Sequence, residues 1–272
     1  NCYNNTFGNS CWSNTFGDDC YSNTFGNFCN YNTFDNKCYN NTFSPNCNSN
    51  TFGTECWNNL FYTNCNSNTF GTGCFGNTFG VSCQYNTFSN VCQANTFGDS
   101  CIGNTFDADC NTNTFGDNCY SNTFGFNCNS NRFGNDCLYN ILGKYCSSNI
   151  FGNSCSVNTF GYNCWYHSFG NNFSANTFGN NCKYNNFYTG TSGNTNKDYI
   201  KYLVLEDGCR YNNFYSDITT SSTSYLQRIR IKGLEHTTQT NTQITLSETN
   251  TKYEWLICYT SSGTLKQYCP ND

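Results

Sequence analysis

The chain has 272 residues, a formal net charge of −5 and 11% charged residues, well under the about 25% of ordinary globular domains. Four bases in residues 1–190 (Lys37, Arg132, Lys144 and Lys183) make no basic stripe, so phosphate-backbone binding is not expected. No apolar run nears the roughly 18 residues of a membrane helix.

No signal-peptide pattern is visible in the first residues of the sequence. A start at Asn1, with no methionine anywhere, is expected of a fragment, a processed product or part of a longer chain. From Cys2 to Phe187 one nine-residue unit, Asn-Thr-Phe-Gly-x-x-Cys-x-x, recurs twenty-one times. Its places are numbered first to ninth from the asparagine. The first place runs Asn5, Asn14, Asn23 to Asn185, broken only by His167. The third runs Phe7, Phe16, Phe25 to Phe187, broken only by Leu142. The seventh runs Cys2, Cys11, Cys20 to Cys182, broken only by Phe173. A repeat this strict decides the architecture.

Two apolar anchors alternating four and five residues apart fit neither a helix nor a long strand. They fit short flat sides joined by corners, with one inward anchor per side. Glycine at the fourth place in fifteen of the twenty-one units predicts a corner with unusual φ. Two units can close a coil. Eighth-place residues taken at every second unit run Tyr3, Tyr21, Tyr39, Trp57, Phe75 and, interleaved, Trp12, Asn30, Asn48, Asn66, Gln84. Like stacks on like, as parallel coils prefer, whereas a coil of three units breaks both ladders. The expected fold is therefore all-β, a parallel β-solenoid of two units, or about 18 residues, per coil.

The cysteines suggest a disulfide scaffold by number but not by spacing. Equivalent residues of stacked coils lie about 4.8 Å apart with parallel side chains, outside the roughly 3.5–4.5 Å between Cβ atoms that a disulfide wants. They are read as a column of buried reduced thiols. A nine-residue interval with one histidine in the repeats is not zinc spacing. The asparagine, two before the phenylalanine, is expected to face inward and be satisfied by its neighbours in adjacent coils, because an unpartnered buried amide costs about 1–3 kcal/mol.

Leu205, Cys209, Asn212 and Phe214 return in phase with the repeat, and Ile200 lies on the cysteine positions. The solenoid is expected to fill residues 1–215, with a loop or degenerate coil near 189–199. That gives about 12 coils and a rod of roughly 55–60 Å. Residues 216–272 are expected to form a small antiparallel β-domain, with strands near 225–231 and 240–246 and a hairpin of 253–259 with 264–268. Such a domain would cap an open sheet edge. At the other end nothing caps Asn1, and upstream chain or a partner is expected there.

The Asn-Thr-Phe-Gly-x-x-Cys runs, followed by a tail ending Tyr-Glu-Trp-Leu-Ile-Cys-Tyr-Thr-Ser-Ser-Gly-Thr-Leu-Lys-Gln-Tyr-Cys, resemble long repetitive tail-fibre-like proteins of phages and prophages of gut Bacteroides-type bacteria. The resemblance covers nearly the whole chain. It implies a structural protein of the virion tail whose partners are other virion proteins; a bacterial surface adhesin or filament is the alternative. The coil also resembles a shortened pentapeptide-repeat solenoid. It resembles the calcium-binding nonapeptide roll in period only, because no Gly-Gly-x-Gly-x-Asp occurs, so calcium is not implied.

The expected function is a structural and adhesive rod. Tyr3, Tyr21, Tyr39, Trp57 and Phe75 are candidate contacts to a cell-surface glycan, and the alternative is that they pack on one another and stiffen the rod. Trp255, with Tyr253 and Tyr259, is a second candidate contact, or the core of the tail domain. Partners are expected at the uncapped N-terminal end, and homo-oligomerisation is open. Threonine at the second place in fifteen units offers an outward column on each of two faces, which raises ice binding as a lesser alternative. Neighbouring Tyr31, Tyr85 and Tyr139 are too bulky for a flat ice-facing plane. Nine scattered acids do not mimic DNA. Asp99, Asp107, Asp109 and Asp117 form a loose acidic group with Asp99 and Asp117 stacked. Lone aspartates at corners are turn residues, and His167 is a tolerated substitution. No enzyme activity, cofactor or metal is predicted.

Overall fold

The computed structural model describes residues 2–170 and 175–185 with their side chains. It also describes the backbone of strands at 186–189, 203–205, 213–216, 229–232, 236–239, 243–246, 254–259 and 265–268. Every regular element among these residues is a β-strand. The chain divides into two compact units, Asn1–Gly134 and Asn135–Asp272.

In the first unit each nine-residue repeat contributes one strand of two residues, from β1 (Thr6–Phe7) and β2 (Thr15–Phe16) to β15 (Arg132–Phe133). Alternate strands pair in parallel and in register, two repeats apart: Thr6 with Thr24 and Phe7 with Phe25 on one sheet, Thr15 with Thr33 and Phe16 with Phe34 on the other. The unit is a parallel β-solenoid with two repeats per coil, as the eighth-place ladders predict. Backbone bonds between coils run both ways. The second- and fourth-place N–H groups donate to the coil before, as Thr33 N to Asn14 O (2.9 Å) and Asp35 N to Phe16 O (2.9 Å). The sixth- and ninth-place N–H groups donate to the coil after, as Lys37 N to Thr54 O (3.0 Å) and Tyr31 N to Asn48 O (3.1 Å). Pairing on both faces of each coil leaves few buried backbone groups without a partner.

The interior is filled by the three columns expected from the repeat. Phe61 stacks on Phe43 and Phe79 with ring centroids 4.7 Å apart and meets Phe52 and Phe70 of the opposite sheet edge-on at 5.3 and 5.4 Å. The two phenylalanine columns thus interlock, stacked along the coil axis and T-shaped across it, both favoured aromatic geometries worth about 0.5–1.5 kcal/mol beyond burial. From Phe25 to Phe133 each of these rings is fully or almost fully buried, as is each cysteine from Cys20 to Cys137. Thr24, Thr33, Thr51, Thr69 and their equivalents face out.

One expectation about the corners is corrected. The fourth-place glycines do not carry a positive φ. Residues at the sixth and ninth places do, and nearly all are not glycine: Ser10, Phe28, Asn46 and Val91 at the sixth, and Asn4, Tyr31, Tyr85 and Ala94 at the ninth, all with φ between 53 and 64°. This left-handed conformation costs roughly 1–2 kcal/mol for an L-residue and least for Asn and Asp. It explains the asparagines and aspartates among them. Fourth-place glycine has a different reason, close approach of stacked backbones. A Cβ on Gly71 would lie 2.7 Å from both the carbonyl carbon and oxygen of Gly53, and one on Gly98 would lie 3.0 Å from the carbonyl carbon of Gly80. Where Ser44, Tyr62 and Ser89 replace glycine, the bond to the preceding coil is kept at 2.9–3.0 Å.

The second unit continues the repeat through β16 (Ile141–Leu142), β17 (Ile150–Phe151), β18 (Thr159–Phe160), β19 (Ser168–Phe169) and β20 (Thr177–Phe178). Longer strands follow: β21 (Asn186–Thr189), β22 (Leu203–Leu205) and β23 (Asn213–Ser216). Phe178 pairs with Leu205, and Phe187 with Phe214, so each of these coils spans the length of three repeats instead of two. The chain between β21 and β22 holds the extra length, and the pairing then resumes. The loop or degenerate coil expected near 189–199 falls, from 190 on, outside the described residues. Parallel pairing extends to β24 (Ile229–Lys232) and β25 (His236–Gln239). Antiparallel pairing then joins β26 (Gln243–Leu246) to β25, and β27 (Glu254–Tyr259) to both β24 and β28 (Leu265–Tyr268). The last pair is the hairpin expected from the alternation at 253–268.

Two comparisons by thermal melt check this account. Phe97→Ala should cost about 3–5 kcal/mol, while Thr96→Ala, on the exposed face, should stay within about 0.5 kcal/mol. Val91→Gly should stabilise by roughly 1 kcal/mol by removing a strained β-branched left-handed residue, whereas Gly71→Ala should destabilise by about 1–3 kcal/mol through backbone overlap.

Candidate functional site

Because the first, third and seventh places are spent inside, chemistry must be sought on the outward places. In the first unit the eighth-place aromatics form one continuous stack. Tyr3 and Tyr21 have centroids 5.3 Å apart, Tyr21 and Tyr39 5.0 Å, Tyr39 and Trp57 4.4 Å, and Trp57 and Phe75 5.8 Å. The planes agree within 6°. Tyr3 and Phe75, at the ends, are exposed, and the three between them are half-buried. Ring faces inside the stack are covered by ring faces, so these residues offer edges and hydroxyls outward rather than faces on which a sugar ring could lie. The other eighth-place series is a ladder of amides. The backbone N–H of Asn48, Asn66 and Gln84 each donates to the side-chain oxygen one coil back, at 2.6–2.7 Å. Trp12, at the head of this series, is 60% exposed, and its indole N–H donates to the Phe28 carbonyl at 2.8 Å. The side chain of Trp255 lies outside the described residues; only its place on β27 is given.

The outward threonines stand in register, Thr15, Thr33, Thr51, Thr69, Thr87, Thr105 and Thr123 on one sheet. The column is one rank wide. Tyr31 and Tyr85 flank it at 65% and 61% exposure, which matches the bulk expected beside it.

Asp99 and Asp117 are stacked as their spacing implies, but the contact is structural. The Asp99 carboxylate accepts the Asp117 backbone N–H at 2.9 Å, the same bond that Asn9 makes to Asn27 and Asn36 to Thr54. Asp107 accepts the N–H of Ala108 at 2.9 Å, as turn aspartates do. No group of three or more His, Cys, Asp or Glu converges as a metal site among the described residues.

Inside, the first-place amides form a chain of shared bonds. The Asn68 side-chain oxygen accepts from both the backbone and the amide nitrogen of Asn50, at 2.9 and 3.1 Å, and the Asn50 amide also donates to the Cys29 carbonyl at 3.0 Å. His167 interrupts this column. Its Nδ1 accepts the Asn149 N–H at 3.2 Å, and its own backbone N–H donates to Asn185 at 2.9 Å. Nε2 is buried and, among the described residues, unpartnered. Burial pushes the imidazole pKa down to about 4, and neighbouring Cys146 and Cys182 offset this only in part. The described cysteines are free thiols. The Cys29 sulfur donates to the Gly8 carbonyl at 3.3 Å, and burial pushes its pKa up to about 12. A buried thiol whose pKa is raised in this way is a poor nucleophile.

Sequence reasoning passed over one cluster. Lys144, Tyr145, Tyr162, Trp165 and Tyr166 gather on one exposed face of the second unit. Reading the fifth, sixth, eighth and ninth places together at every second repeat would have found it.

No helix among the described residues is long and apolar enough to cross a membrane. Among known proteins, no family model, no curated protein and no solved structure matches the chain significantly.

Two measurements test the interior. His167 binds a proton less readily folded than unfolded, so stability should be full above about pH 6.5 and fall as pH drops toward about 4. His167→Asn should remove that dependence in melts taken across the range. With a thiol reagent, half-buried Cys2 and Cys11 should react in the native protein, and fully buried Cys20 to Cys164 only after denaturation.

Proposed function

We propose that the chain is a non-catalytic structural and adhesive rod, a segment of a phage tail fibre or, in the second form of the same reading, of a bacterial surface adhesin. The observation that carries it is the division of labour within the repeat. Three places of nine fill the interior with stacked Phe, Cys and Asn, leaving side-chain variety to the outward places. A protein built this way presents a regular, stiff surface. Exposed Trp12, Tyr31, Tyr85, Trp165 and Tyr166 are the kind of side chain that contacts a partner surface. Its partners would be other fibre proteins and a cell-surface glycan, and its place the virion tail or the cell exterior.

Antibody labelling of the source particles or cells by electron microscopy tests the reading. Label on a tail, fibre or cell surface is the expected result, and label confined to the cell interior would overturn it. The labelled full chain should also adhere to intact bacterial cells.

A further inference from the structure

We propose that one face of the second unit, built from Lys144, Tyr145, Tyr162, Trp165, Tyr166 and Lys183, binds an acidic polysaccharide. This deepens the adhesive reading above and rests on it.

The face consists of three successive turn segments, 144–148, 162–166 and 180–184. They are held in register by parallel bridges from Ser147 to Trp165 and from Trp165 to Lys183. Tyr145, Tyr162, Trp165 and Tyr166 are 46%, 41%, 39% and 56% exposed. They are also fixed. The Lys144 ammonium lies 5.5 Å from the Tyr162 ring centroid, a cation–π distance. Tyr145 meets Tyr162 edge-on at 5.4 Å, and Tyr166 stacks on Tyr184 at 5.1 Å. The Trp165 indole N–H donates to the Asn181 carbonyl at 3.0 Å, so little rotamer freedom is lost on binding.

Two features separate this face from the first-unit stack. Trp57 is sandwiched between Tyr39 and Phe75. Trp165 has Ser147 and Lys183 as column neighbours, and no ring covers it among the described residues. The second feature is charge. Two of the four bases in residues 1–190 lie here, and segments 144–148, 162–166 and 180–184 contain no Asp or Glu. In a chain of net charge −5, this is a local positive patch. Lys144 and Lys183 sit two coils apart, about 10 Å along the axis.

These groups match one ligand chemistry. Ring faces take the C–H faces of sugars, tyrosine hydroxyls exchange hydrogen bonds with sugar hydroxyls, and the two ammonium groups take carboxylates spaced along a chain. A neutral glycan would leave both charges unused. Single-stranded nucleic acid would stack equally well, but its affinity depends on many phosphate contacts, and two lysines on an acidic protein supply few.

The test uses the full chain and immobilised polygalacturonate, with dextran and a thymidine oligonucleotide as parallel probes. Polygalacturonate should bind best, and more weakly as salt is raised. Trp165→Ala should weaken binding roughly tenfold. The double variant Lys144→Gln, Lys183→Gln should weaken it and flatten the salt dependence. Trp57→Ala should leave it unchanged. Because the lysines are not in the interior, the double variant keeps the test valid should Trp165→Ala melt early. No binding to polygalacturonate, binding equal to dextran, tighter binding to the oligonucleotide, or indifference to the patch variants would each overturn the proposal. A chain that adheres to bacterial cells yet ignores polygalacturonate would sink this ligand and leave the adhesive reading standing.

Discussion

The rest of the structure depends on one interaction, the shared amide bond between first-place asparagines two repeats apart. Each amide oxygen takes two donors from the coil before it, as Asn68 does from Asn50, and the Asn50 amide nitrogen reaches both Asn68 and the carbonyl of Cys29. A slip of one residue would leave a full column of buried amides without partners, at about 1–3 kcal/mol each. The column therefore sets the register, and the register brings phenylalanine rings such as Phe61 and Phe79, or Phe52 and Phe70, to 4.7–4.8 Å within their stacks. His167 shows how narrow the requirement is. An imidazole fills the space and accepts one bond, yet leaves Nε2 buried and, among the described residues, unpartnered.

Closing a coil with only two repeats imposes costs that recur in every coil. The chain must turn in the left-handed region at the sixth and ninth places, and it does so even with valine at 91 and 157 and tyrosine at 31 and 85. The N–H groups at these places point to the next coil and are satisfied there, Val91 N on Ala108 O at 3.0 Å and Tyr85 N on Ile102 O at 2.9 Å. Hydrogen bonding and ring stacking outweigh the local strain. Stacked backbones also come close enough at the fourth place for glycine to be preferred.

The same economy divides structure from function. A cysteine column whose thiols bond to carbonyls, as Cys29 does to Gly8, is part of the packing. The aromatics then fall into two kinds. Those from Tyr3 to Phe75 satisfy one another face to face, extending the stacking principle of the core to the surface. Trp165, by contrast, has serine and lysine as its column neighbours and keeps its ring surface available. A stripe of outward aromatics is thus not in itself a binding site; what occupies the next coil decides.

Much of this was legible in the residues. The period placed Phe, Cys and Asn inside and Thr outside, because only stacked equivalents explain such strict identity. The run Tyr3, Tyr21, Tyr39, Trp57, Phe75 selected a coil of two repeats over one of three. The hairpin at the tail was legible from its alternation. The conformational reason for glycine was not. A preference for glycine looks the same whether the cause is a positive φ or, as at Gly71, a neighbouring backbone where a Cβ would be. The patch at Lys144 and Trp165 shows in no single column, since its members come from four different places of the unit and are neighbours only once the coil is closed. The sequence by itself determined what is buried and how often the coil repeats, because these follow from identity at fixed spacing. Only the tertiary structure decided which outward residues cover each other and which stay open, because that depends on side chains from different repeats being brought onto one face.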